Sequence, residues 1–194
     1  MSESPDAAAA FPDVPDDVRE AARLAPDHWL GVVDPAWRGE GPPPAWALVG
    51  EWRSGSGGEV EEWRDNDEYR PSPAALGWPE PTDAVDEAVQ RASTGYGPAE
   101  EVPRLLAAAQ VSVLLGPGGA PLAACTPDGE AVIPAFTSTD HLRAAGLLAS
   151  RTVPVAELVG ELPDGHRLYV NPTATVSMVV ENEPLLDALA PTAP

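Results

Sequence analysis

Hydrophobic and polar positions change places in short runs along this chain, and no run is long. Pro15, Asp16 and Asp17 lead into Val18-Arg19-Glu20-Ala21-Ala22-Arg23-Leu24. That pattern predicts a short helix with its acids at the positive end of the dipole. His28 to Val33 is rich in β-formers and is stopped by Asp34-Pro35. Trp46 to Arg53 reads as a strand, Ser54 to Gly58 as a turn, and Glu59 to Arg64 as the returning strand of a β-hairpin. Asp65 to Asp83 holds four prolines and shows no periodicity, which marks a binding loop or a linker.

Beyond it Asp83 is placed to cap a helix from Ala84 to Ser93, with Val85, Ala88, Val89 and Ala92 on one face. A second helix is predicted from Ala99 to Ala109. The pattern then shortens to strands at Val111–Leu115, Pro121–Thr126 and Ala131–Thr137, separated by Pro/Gly turns. Ser138 or Thr139 caps a helix carrying His141 and Leu142. A strand at 153–155, a helix at 156–162, strands at 166–170 and 175–180, and a helix at 183–189 complete the order. This is an α+β chain with a mixed, largely antiparallel sheet, short helices and a Trp-rich N-terminal β-hairpin subdomain. Three regions follow: a flexible acidic tail over 1–16, the Trp-rich subdomain with its Pro-rich loop over 17–83, and an α+β domain over 84–190.

Composition narrows the function. The 194 residues carry 31 acidic side chains against 11 basic ones, a formal charge of -20. Such a surface repels phosphates, which excludes nucleic acid as a partner. No apolar run approaches the roughly 20 residues of a membrane span, and the acidic start is unlike a signal peptide. Cys125 is the single cysteine, so no internal disulfide forms, and a cytoplasmic setting is expected. Every basic residue is arginine, as codon bias in a GC-rich genome would produce.

No motif for catalysis stands out. There is no nucleophile elbow, phosphate loop or dinucleotide fingerprint, and Gly116-Pro117-Gly118-Gly119 lies between strands. His28, His141 and His166 are isolated, with no metal-ligand spacing, and His141 is read as a partly exposed surface residue. No catalytic residue, metal or cofactor is therefore assigned. The acidic run Glu59, Glu61, Glu62, Asp65, Asp67 and Glu68 lacks the spacing of a calcium loop. It reads as a solvated edge guarded by charge, or as a patch steering a basic partner. All six tryptophans (Trp29, Trp37, Trp46, Trp52, Trp63 and Trp78) fall in the first 78 residues. They build a small aromatic core, supply interface anchors, or do both.

Pro134-Ala135-Phe136-Thr137-Ser138, then Leu142, then Gly165 to Pro172 in order and spacing resemble the SseB N-terminal-like domain. That family carries a strand ending in a Pro-x-Phe-Thr-Ser type motif and a later one ending in Asn-Pro. The upstream segments Trp46 to Arg53, Asn66 to Pro73 and Leu76 to Pro79 resemble type VII secretion system-associated proteins of actinobacteria. The resemblance implies a cytosolic accessory protein without assigned catalysis, in which Phe136, Ser138, Asn171 and Pro172 mark the fold. The expectation is a non-enzymatic adaptor or chaperone-like protein that binds a type VII secretion component or substrate with a basic or apolar surface. Trp46, Trp52, Trp63, Asn66, Tyr69, Arg70 and Trp78 are the candidate contacts. The alternatives are an enzyme or small-ligand sensor with a pocket between the halves, using Asn66, Tyr69, Arg70 and His166, and an immunity-type protein masking a basic toxin.

Overall fold

The computed structural model describes residues 13–190, and the chain divides into two compact units at Pro71/Ser72. That division falls inside the Pro-rich loop. Residues 1–12 of the expected tail lie outside the described residues.

The first unit begins with α1 (Asp16–Leu24), whose first turn holds Asp16 and Asp17. A three-stranded antiparallel sheet follows, in the order β1 (Trp29–Val33), β2 (Leu48–Ser54) and β3 (Val60–Asp65). The hairpin expected between 46 and 64 is therefore present, and β1 extends it by one strand. Its first strand starts later than expected. Pro44 leads Ala45–Ala47 into a turn of 3-10 helix, and Leu48 is the first extended residue. Gly58 sits at φ 79, and a Cβ there would lie 2.9 Å from the Arg23 Cα, so glycine lets α1 close on the hairpin turn. Ser54 locks the same corner: its buried hydroxyl donates to the Ala25 carbonyl and accepts from the His28 N–H.

The second unit opens with tight turns. Leu76 N–H donates to the Ser72 carbonyl and Trp78 N–H to that of Pro73. Pro73 thus opens a hydrogen-bonded turn within the stretch expected to be a loop. Next come α2 (Ala84–Thr94) and α3 (Glu101–Ala107). Pro103 lies in the first turn of α3, where no N–H is required. Then follow β4 (Gln110–Leu114), β5 (Ala124–Cys125), β6 (Ala131–Phe136), α4 (Thr139–Ala144) and β7 (Ser150–Pro154). The chain closes with α5 (Val155–Leu158), β8 (Arg167–Val170), β9 (Met178–Val180) and α6 (Asn182–Leu189). The sheet order is β7-β4-β6-β8-β9, with β5 also paired to β6. Only the β6–β8 pair is parallel.

Alternate strand residues Val111, Val113, Ile133, Ala135, Leu168 and Val170 form one face of that sheet. They pack with Val85, Val89, Val102, Leu106, Leu158 and Leu185 from α2, α3, α5 and α6. Burying each such aliphatic side chain contributes about 1.5–3 kcal/mol. The expected face of α2 is the one that packs. The strand foreseen over 121–126 shrinks to Ala124–Cys125, and the one over 175–180 to Met178–Val180. No helix among the described residues is long and apolar enough to cross a membrane.

Candidate functional site

Five of the six tryptophans belong to the first unit, and the register of its sheet divides three of them between two faces. Leu30, Trp52 and Trp63 stand opposite one another across β1, β2 and β3, so they share a face. The Trp52 and Trp63 rings meet at 4.6 Å. Trp63 lies over the backbone of Gly50, where a Cβ would come within 2.3 Å of its ring. Its indole N–H donates to Asp65 Oδ1 at 2.7 Å. On the other face Trp29 lies opposite Arg53. The guanidinium of Arg64 stacks over the Trp29 ring at 4.2 Å and also pairs with Glu51. Trp37 and Trp46 meet edge to face at 5.3 Å in the connection between β1 and β2.

Trp52 is 2% exposed and belongs to the core of this unit, which removes it from the set of surface anchors. Trp29, Trp37, Trp46 and Trp63 keep part of their rings at the surface. Asn66 is a clasp: its amide donates to the Ala45 and Leu48 carbonyls at 2.6 and 2.7 Å, and its oxygen accepts from the Glu68 N–H. Tyr69 donates its hydroxyl to Asp34 Oδ2 at 2.7 Å. Burial first, then the Asp34 carboxylate, pushes the Tyr69 phenol up to about 12, so the donor persists through the neutral range. Arg70 is exposed, and its N–H donates to the Trp46 carbonyl at 2.9 Å. Six of the seven expected contacts thus belong to one unit. Trp78 lies in the other, partly exposed at the end of the Ser72 turn.

Two participants escaped sequence reasoning. Asp34, read there as a strand stop, is 1% exposed and accepts from Tyr69 and from the Ala36 N–H. Trp29 with Arg64 and Glu51 depends on three-strand register, which a two-strand hairpin does not supply. A cavity of about 300 Å3 opens beside this group, lined by Ala45, Leu48, Glu51, Arg64, Asp65 and Asn66.

The second unit gathers polar side chains at the carboxyl ends of its parallel strands. Asp83 caps α2 through Oδ1, which accepts from the Val85 and Asp86 N–H groups, and its Oδ2 accepts from the Thr137 hydroxyl at 2.6 Å. Thr137 N–H donates to Asn171 Oδ1 at 2.9 Å, and Asn171 N–H donates to the Ala135 carbonyl. Asn171 is fully buried at φ 49, a conformation asparagine tolerates better than most residues. It ties the end of β8 to the end of β6, while Ser138 caps α4 by accepting from the His141 N–H. The two sequence motifs are therefore bonded to each other, which accounts for their fixed order and spacing as fold markers.

His141 is partly exposed, as expected, but it is not isolated. Its side chain is only 14% exposed, with Nε2 3.2 Å from Oδ2 of Asp86, itself 2% exposed. Thr82 N–H and hydroxyl both donate to that same oxygen. The helical first turn hid this pairing, because Asp86 and His141 are 55 positions apart. His166 lies in this unit, its ring near the Asp164 carbonyl.

Residues 85–186 match the family described as SseB protein N-terminal domain. No curated protein and no solved structure matches the chain. The matched span runs from α2 into α6, covers more than half of the sequence, and contains Thr137, Ser138 and Asn171. The chain belongs to the SseB N-terminal domain family.

Proposed function

We propose that this is a non-enzymatic accessory protein, an adaptor or chaperone-like factor of a type VII secretion locus, that binds another protein through its first unit. The observation that carries the reading is the state of the tryptophans. A small sheet with one fully buried indole, Trp52, keeps four more partly at the surface: Trp29, Trp37, Trp46 and Trp63. Partly exposed indoles of this kind suit an interface, where Trp, Tyr and Arg dominate binding energy. Arg70 is exposed, and its backbone is bonded to that of Trp46. The resemblance of 46–53, 66–73 and 76–79 to secretion-associated proteins supports the cellular setting, a cytoplasmic one.

The test is capture from lysate of the source cells with the tagged chain, using wild type and a Trp37→Ala/Arg70→Ala variant. The reading expects secretion components or substrates that survive high salt on the wild type and disappear from the variant. An identical partner set on both would contradict it. The variant should first be shown to be folded at the assay temperature, since Trp37 packs edge to face on Trp46.

A further inference from the structure

The two edges of the first unit's sheet are unlike. β3 carries Glu61, Glu62 and Asp65, all exposed, with Glu59 just before it. Charges of this kind keep a free edge from pairing with another strand. β1, the opposite edge, reads Trp-Leu-Gly-Val-Val, with neither a charge nor a proline to guard it, and its Gly31 and Val33 are exposed.

The bonding at its two ends shows which groups stay open. The His28 carbonyl accepts from the Ser54 N–H, and the Asp34 N–H donates to the Ala47 carbonyl. Even-numbered residues therefore bond toward β2, while Trp29, Gly31 and Val33 turn their N–H and C=O groups to the outer side. The bulge in this pairing leaves out Val49 on β2, so the alternation runs unbroken along β1. Among the described residues no hydrogen bond joins those outward groups to another segment.

The strand is also self-complementary. Two copies laid antiparallel about Gly31 set Gly31 against Gly31, Trp29 against Val33 and Leu30 against Val32 of the second copy. Aromatic and β-branched residues form favourable cross-strand pairs, and glycine at the two-fold axis brings no side chains into collision. One position further out, His28 stands opposite Asp34, so no like charges meet. Two chains of charge -20 repel one another overall, and an uncharged strand is where they can approach. Pairing there uses both open edges. The joined sheet then ends in two acidic β3 strands, which stops growth at two copies.

We propose that β1 is a dimerisation edge, on which a second copy of this chain pairs antiparallel about Gly31 and joins the two sheets into one. The proposal does not depend on the capture of another protein through Trp37.

Sedimentation velocity of the full chain from about 1 to 200 µM tests it, a range suited to a small interface. The wild type is expected to pass from monomer to dimer and no further. Added salt should tighten the association, since it screens the repulsion between like-charged chains. Gly31→Asp and Gly31→Arg each set like charges opposite one another, and each should weaken the dimer at least tenfold. An equimolar mixture of the two should restore it as a heterodimer. A Cβ at Gly31 would lie 3.3 Å from Leu48 Cδ2, the end of a flexible side chain, so both variants should fold, which circular dichroism checks. Hydrogen exchange on the wild type needs no variant: amides over 29–33 should gain protection on concentration, and those over 60–65 should not. A wild type that stays monomeric, grows beyond two copies or is weakened by salt would overturn the proposal. So would undiminished dimers in both variants, a mixture that stays monomeric, or protection at 60–65 in place of 29–33.

Discussion

Before Ser72 the chain carries four partly exposed tryptophans, and after it a network of polar side chains joins the ends of strands and helices. Asp34 is the buried acid of the first unit, and Tyr69 reaches it from the loop after the sheet. In the second unit Asp83, Asp86 and Asn171 stand together at one end of an aliphatic core, each bonded to a neighbouring element. Polar groups placed inside must be matched by partners, or they cost about 1–3 kcal/mol each. A network of that kind specifies which strand ends meet. The partly exposed rings of the first unit pack on one another and on its strands, and leave one side of each accessible. The family match covers the region with the internal network, and the tryptophans lie outside it.

The comparison can be broken most forcefully at the core. Ile133→Ala should destabilise the second unit by about 2–5 kcal/mol, as for other buried large-to-small changes. Chemical denaturation followed by far-UV circular dichroism measures it. A loss below 1 kcal/mol would mean that the β6 face is not the core. The network comes next. Asn171→Ala should cost about 3 kcal/mol, since it removes the Thr137 acceptor and forces alanine into the left-handed region. Asn171→Gly keeps the backbone relaxed and should recover about 1 kcal/mol of that loss. If both variants cost the same, the side chain matters and the φ of 49 does not.

Tyr69 sharpens the comparison from the other side. Its phenol titrates higher in the folded chain than in the unfolded one, where tyrosine lies near 10. The protonated form is the one that folding favours. The associated stability is complete below pH 10 and is lost as pH rises through about 12. Tyr69→Phe should cost about 1–2 kcal/mol at pH 7 and flatten the stability profile between pH 10 and 12. Thermal unfolding across that range reads both effects, and an unchanged profile would remove Tyr69–Asp34 from the account. The smallest effect is expected at the surface. Trp29→Leu forfeits the Arg64 stack and should cost no more than about 1 kcal/mol. A larger loss would make Trp29 a core residue and weaken the case for an interface.

Local features were legible in the sequence because their causes are local. Asp83 and Ser138 cap helices where their side chains reach N–H groups two or three residues on. The hairpin around Ser54 to Gly58 and the apolar face of α2 follow from short periodicities in the same way. The Asn-Pro segment was legible as a turn, but its bond to Thr137 was not, since 34 positions separate them. The Trp29 group required knowing that β1 pairs with β2 across a 14-residue connection. The contact of His141 with Asp86 was not legible, because a short helix gives no signal of what it packs against. Trp52 and Trp63 looked equivalent in sequence, and only burial distinguishes them.

The central claim is that the partner surface lies on the first unit and that the family domain's polar network serves the fold. The chain has no lysine for amine-reactive reagents, so a photoreactive phenylalanine analogue is the direct probe. It would be placed at Trp37 in one preparation and at Thr152, exposed on β7, in another. After irradiation in source-cell lysate at high salt, the account predicts defined protein adducts at Trp37 and none at Thr152. Adducts at Thr152 alone would contradict it.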